Sequence, residues 1–211
     1  MDQSFKRASG LSLIIGSLLL TLTMILHPSG GSIEHILHVV QFNMISHSLA
    51  IASLPFIGFG YYGVATALLT KSKLSMLALA VAALGLVAAM MAGTINGLTL
   101  SLFLQGSTED LQNQVEVIKA VIRYGFAINR PMDYILIGAF MLSMGIWSVL
   151  ILRTTVFPKW LAYLGLGLLA LGSLGFVMQF DYIHLTGFRI FVFSLVGWII
   201  SMGAYLMRKQ A

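Results

Sequence analysis

LSMLALAVAALGLVAAMMAGTINGLTLSLFL, residues 74–104, contains no Asp, Glu, Lys or Arg. About 20 helical residues, rising 1.5 Å each, cross the roughly 30 Å of hydrocarbon in a bilayer. This run is long enough to cross with residues to spare. Lys71 and Lys73 stand immediately before it, and Gln105 and Gly106 follow it. Working outward, the same pattern recurs over 9–27, 45–70, 132–152, 159–180 and 187–207. That makes six apolar helices. Strand-type alternation is absent, and in lipid the backbone must satisfy itself within a helix or a closed barrel. The expected fold class is therefore all-α, a polytopic six-transmembrane-helix bundle. It forms a single domain over 1–211 with amphipathic helical segments on its outer face.

Composition agrees. The 211 residues are 58% hydrophobic and 9% charged, against about 25% charged in soluble domains. A net charge of +5 is explained by orientation rather than by nucleic acid. With the N-terminus in the cytoplasm, Lys6, Arg7, Lys71, Lys73, Arg153, Lys159, Arg208 and Lys209 lie inside. Lys119, Arg123, Arg130 and Arg189 lie outside. The inside excess of basic residues places both termini in the cytoplasm. Lys6 and Arg7 resemble the start of a signal peptide, but the run from Leu11 to Leu26 is long for one and no A-x-A site follows. With no cysteine, disulfides, thiolate metal sites and cysteine nucleophiles are excluded. Pro55 should kink the second span, whereas Pro131 and Pro158 fall at expected span starts, where proline is tolerated. Gly60 and Gly63, Gly165 and Gly167, and Gly172 and Gly175 suit close helix packing in lipid.

The junction WSVLILRTTVFPKWLAYLGLGLLALG, residues 147–172, has a short basic Pro-Lys-Trp loop between two apolar helices, the second rich in glycine. It resembles a group of bacterial six-helix integral membrane proteins classed as a domain of unknown function. The resemblance covers some forty residues of the chain. It implies six helices and a bacterial inner membrane, and it implies no activity and no site residues.

The site-like chemistry lies in HPSGGSIEHILHVVQFNMISH, residues 27–47, which hold four of the five histidines. On a helix Glu34, His35, His38 and Gln41 share one face, and Ile33, Leu37, Val40 and Met44 lie opposite. Phe42 and Ile45 interrupt the polar face. Asn43 and His47, four apart, share another side. Such a segment suits an interfacial helix or one lining a wet cavity. His184 joins the outer side through the loop FDYIHLTG. The loop 106–131 reads as an amphipathic helix over 107–126. Ser107 or Thr108 would cap it, Glu109 and Asp110 would fill its first turn, and Leu111, Val115, Ile118 and Ile122 would form its apolar stripe.

Both outer pieces are expected to pack over the outer ends of spans one, two and six. The cavity so formed would be lined by Asn43 and His47, with His27 and His184 beside them. His35, His38 and Gln41 would sit at its rim. The candidate metal ligands are His27, His35, His38, His47 and His184. Gln41, Asn43, Arg130, Asp133 and Asp181 are the candidate ligand-binding residues.

Imidazole and carboxylate suit zinc, copper or iron, and histidines on facing helices suit haem, the lesser option. The H-x2-H spacing of His35 and His38 is weak by itself, because no H-E-x-x-H accompanies it. A serine hydrolase is disfavoured. Ser46 and His47 are adjacent on a helix and point about 100° apart, and no G-x-S-x-G elbow is present. Arg130 and Asp133, three apart in NRPMD, can pair with each other, or Arg130 can join Arg123 and Arg189 around an anionic headgroup. No charged residue lies near the middle of any span. That argues against a proton-coupled transporter, a pump or an ion channel. Thr94, Asn96 and Thr99 make span three mildly polar and can bond to neighbouring helices.

Two functional classes follow. The first is a non-catalytic membrane protein that binds a lipid-like or neutral ligand or a partner subunit through a histidine-rich outer pocket. The second is a metal- or haem-dependent membrane enzyme at the outer face. The expected partners are the lipid bilayer and a membrane subunit or second copy, with no nucleic acid.

Overall fold

Each apolar run forms a helix, as a backbone without water must. A computed structural model describes residues 2–29, 33–106 and 111–208. The described regular structure is helical throughout. The expected cap at Ser107 or Thr108, with Glu109 and Asp110, lies outside the described residues. The first span is α1, Gln3–Leu26. A short helix, α2, Ile33–His38, leads through Val39 into α3, Val40–Leu69. The third span begins as α4, Leu74–Ala92, passes through a π-helical turn at Gly93–Thr99, and ends as α5, Leu100–Gly106. The fourth is α6, Leu111–Leu152, followed by α7, Lys159–Val177, and α8, Leu185–Met207. Six of these helical stretches are long and apolar enough to cross a membrane. The outward surfaces are those of a lipid-embedded bundle, with Leu18, Leu84, Leu142, Leu171 and Val177 all more than half exposed; in water such faces would drive association.

α1 packs between α3 and α8, α4 packs on α6, and α7 leans mainly on α6. Small residues permit the closest crossings. Gly60 and Gly63 of α3 face Leu13 and Ser9 of α1. Gly10 of α1 and Gly203 of α8 lie backbone to backbone, so a Cβ built on Gly10 would stand 2.5 Å from the Gly203 carbonyl oxygen. Because Gly10 opens α1 and Gly203 closes α8, the start of α1 and the end of α8 lie at one end of the bundle. Residues 27–29, 33–39 and 178–184 lie at the other, the histidine end.

Two sequence expectations are corrected here. Pro131 does not start the fourth span. It lies inside α6, a single helix of 42 residues that takes in the described part of the expected surface helix. A proline in a helix forfeits one backbone bond, and here the helix continues through it. The amphipathic pieces also do not pack over spans one, two and six. Ile118 and Ile122 of α6, with Ile36 and Leu37 of α2, close instead on Leu100 and Leu104 at the end of the third span. The apolar stripe exists, and it is satisfied by the overlong third span, which rises beside it.

At the opposite end an aromatic layer fills the bundle. The Tyr61 ring lies 5.0 Å from Trp147, which stacks on Trp198 at 6.4 Å. Each indole finds an acceptor when buried. Trp147 donates to Ser75 Oγ at 3.2 Å and Trp198 to the Leu161 carbonyl at 3.1 Å. All three rings are essentially inaccessible.

Candidate functional site

Between this aromatic layer and the histidine end lies a cavity of about 330 Å³, walled by α1, α3, the third span, α6 and α8. Its deeper part is apolar, with Leu20, Ile57, Leu86, Phe140, Val192 and Leu195, and Tyr61 lies at its inner limit. Its other part is polar, with His27, Asn43, His47, Asn96, Asn129 and Asp133.

The polar part is built by the π-helical turn. GTINGLT contains two glycines, and its wider turn displaces backbone groups from ordinary helical partners. Asn43 takes up the slack. Its Nδ2 donates to Ser101 Oγ at 3.0 Å and makes long contacts with the carbonyls of Asn96, 3.3 Å, and Gly97, 3.4 Å. The same glycine makes room for His47. A Cβ on Gly97 would lie 2.0 Å from Cγ of His47. His47 is thus enclosed, 9% exposed, with Nδ1 donating to the Asn43 carbonyl at 2.9 Å.

His27 ends α1. Its ring lies 4.8 Å from the ring of His47, and its Nδ1 is 2.9 Å from the Pro28 carbonyl. Burial holds its imidazole below the usual histidine range; the Pro28 bond opposes this and the Arg189 charge adds to it. Arg189 reaches back from α8 to hold the end of α1, donating to the carbonyls of Met24 at 3.1 Å and His27 at 2.9 Å. Helix C-termini leave such carbonyls without partners, and a cation there is favourable. Arg189→Ala is expected to destabilise the protein by about 1–3 kcal/mol, the loss of charged hydrogen bonds to buried acceptors. Arg189→Lys should recover part of this. Unfolding by detergent titration measures it, and an unchanged midpoint for Arg189→Ala would remove Arg189 from the account.

Across the cavity Asn129, 8% exposed, donates from Nδ2 to Asp133 Oδ2 at 2.7 Å. Asp133 therefore turns to Asn129, not to Arg130. Oδ1 of Asn129 and Oδ1 of Asn96 are buried and have no partner. Buried polar atoms are rarely left so.

The structure thus brings His27, Asn43, His47 and Asp133 together, and adds Asn96 and Asn129. It does not bring in the other candidates. His35, His38 and Gln41 are exposed and off the cavity wall, as are Arg130 and Asp181. His184 is exposed too and serves as the N-cap of α8, its Nδ1 accepting from Thr186 N–H at 3.4 Å. Asp181 accepts from the N–H groups of His184 and Ile183, each at 3.0 Å, and these bonds hold its carboxyl below the usual carboxylate range. The shared site expected for His27, His47 and His184 is therefore reduced to the first two. Among the described residues no three of His, Asp or Glu stand close enough to hold one metal ion. Ser46 does touch His47, Oγ to Nδ1 at 3.4 Å, although their positions on the helix predicted otherwise. However, Ser46 donates to the Asn43 carbonyl at 3.0 Å, the oxygen that also receives His47 Nδ1, so no base faces the hydroxyl.

Sequence reasoning missed Gly97, Asn129 and the partner role of Ser101. A signal for the first was present in the G-x3-G spacing of GTINGLT, beside one of the few polar patches in a span. Comparison with known protein families, with characterised proteins and with solved structures finds no match to this chain.

Proposed function

We propose that the chain is a non-catalytic, multi-pass protein of the bacterial inner membrane that binds a lipid-like ligand in the cavity at its histidine end, which opens toward the outer face. The observation that carries this reading is the cavity's gradient. It runs from amides and imidazoles at one end to hydrocarbon side chains at the other, the profile of an amphiphile. Its volume falls in the range of small-molecule sites, about 300–1,000 Å³. Protein purified from its membranes in mild detergent should release an amphiphile, in equimolar amount, on solvent extraction and mass spectrometry. Filling the cavity with Ala50→Phe should abolish this. Equal recovery from the filled variant, or no amphiphile from either, overturns the proposal.

The ring contact of His27 and His47 favours a second reading, a metal or haem enzyme. A catalytic zinc takes three protein ligands, and the described residues offer two imidazoles. Equimolar zinc, copper, iron or haem in the same preparation would move the conclusion to this reading.

The outward direction of the histidine end rests on the basic residues, eight beside the chain ends and loops 71–73 and 153–159 against four elsewhere. A reporter enzyme that works only in the cytoplasm, fused after Lys209, is expected to be active. An inactive fusion beside an active control after Gly106 would reverse the orientation.

A further inference from the structure

Carbonyl oxygens only accept hydrogen bonds, so the atoms they face fix the tautomers of both cavity histidines. Nδ1 of His27 meets the Pro28 carbonyl and Nδ1 of His47 meets the Asn43 carbonyl, each at 2.9 Å. Both Nδ1 atoms therefore carry the hydrogen. In a neutral imidazole the other nitrogen is then a bare acceptor. Among the described residues no hydrogen bond is made to Nε2 of either ring. Further polar atoms of the cavity have the same sense. Oδ1 of Asn96 and Oδ1 of Asn129 are buried acceptors without a donor. The Asp133 carboxyl receives one bond, from Asn129, at Oδ2. Of the nearby amide donors, Asn43 is engaged by Ser101 and the π-turn and Asn129 gives one hydrogen to Asp133, which leaves the Asn96 amide as a donor beside these acceptors. No Lys or Arg lines the cavity, and Arg189 is committed to the end of α1.

We propose that the cavity selects a single-chain amphiphile whose head group donates hydrogen bonds, an alcohol or an amine, and that it rejects anionic and acceptor-only heads. This rests on the cavity being a ligand site, and it names the ligand's chemistry. A phosphate or carboxylate head would place its charge among acceptor lone pairs, with no cation to meet it. An ester or ether head would leave the acceptors as unsatisfied as before. A hydroxyl or ammonium head satisfies them, and unpaired buried acceptors penalise an analogue lacking the donor more than they reward a good fit. The volume of about 330 Å³ is at the small end of ligand sites, which fits one chain and not two.

The test uses the full-length protein in lipid nanodiscs and native mass spectrometry. The probes are monododecanoylglycerol and dodecylamine as donor heads, the di-O-methyl ether of that monoglyceride as the acceptor-only match, and dodecanoic acid as the anion. The monoglyceride, the amine or both should be retained about tenfold more tightly than the ether, which is about 1.4 kcal/mol, and the acid should be retained least. Preference for the monoglyceride identifies a hydroxyl head and preference for the amine a cationic one. Asn129→Leu should narrow the donor-to-ether ratio, and so should His47→Phe. Equal retention of donors and ether, or strongest retention of the acid, overturns the donor rule and leaves the ligand site standing. Retention of none of the probes overturns the site reading and this inference with it.

Discussion

Gly97→Ala is expected to empty the site and destabilise the protein by about 1–3 kcal/mol, the usual cost of inserting a methyl group into a filled interior. The added carbon would sit 2.0 Å from Cγ and 2.1 Å from Cβ of His47, so the imidazole must leave its position. Once displaced, the ring loses the 2.9 Å bond to the Asn43 carbonyl and its contact with His27 at 4.8 Å. Two readouts move together, the unfolding midpoint and the co-purified amphiphile. Trimming the histidine in the same chain, Gly97→Ala with His47→Ala, should restore much of the stability while leaving the cavity without ligand. Residues in contact couple in this way, and distant ones do not. If Gly97→Ala retains both stability and ligand, the fit of glycine to imidazole is not what positions His47.

Gly10→Val should have the larger effect on folding, about 3 kcal/mol or more, the upper end for overpacking. The first added carbon lies 2.5 Å from the Gly203 carbonyl oxygen and 2.7 Å from Cγ of Met207. Met207 is a flexible side chain and can yield. The carbonyl belongs to the backbone of α8 and cannot, so α1 must separate from α8. Association in lipid depends on such close approach, because no hydrophobic force favours helix contact over lipid contact. The folded fraction recovered from membranes and the midpoint of a detergent titration should both fall sharply. Gly167→Val provides the control. A Cβ at Gly167 meets nothing within 4 Å, and the change should be within about 0.5 kcal/mol of neutral. Equal behaviour of the two variants would dismiss the Gly10–Gly203 crossing as a determinant of the bundle.

The six spans were legible because hydropathy over some twenty residues is a local property of the chain. Most of the small residues singled out for packing also do pack. Gly60 and Gly63 receive α1, and Gly175 receives the Tyr182 hydroxyl end, while Gly167 faces open space. Span ends were harder to read. Pro131 suggests a helix start by its chemistry, yet α6 runs through it, because one lost backbone bond is a small penalty against the packing on either side. The histidine cluster was read from proximity in sequence, which mixes residues of different fates. His35 and His38 face outward on α2, while His47 turns inward because α3 buries that face. His27 and His47 are 20 positions apart and meet only because α1 and α3 are antiparallel neighbours. The π-helical turn that frames both leaves almost no trace in composition. It is a shift of hydrogen-bond register by one residue, and hydropathy does not record register.

The 42 residues of α6 make a rod about 63 Å long, about twice the hydrocarbon thickness of a bilayer. Such a rod is a lever with the membrane as its fulcrum. Its overhanging arm carries Ile118 and Ile122, which rest on Ile36, Leu100 and Leu104, and these last three also line the cavity. A change of tilt by about 5° would sweep the tip of an arm roughly 30 Å long through about 3 Å. Helices tilt to match the thickness of the surrounding bilayer. The wall of the cavity and the footing of the overhanging arm are thus the same three side chains, so the two cannot be repacked independently.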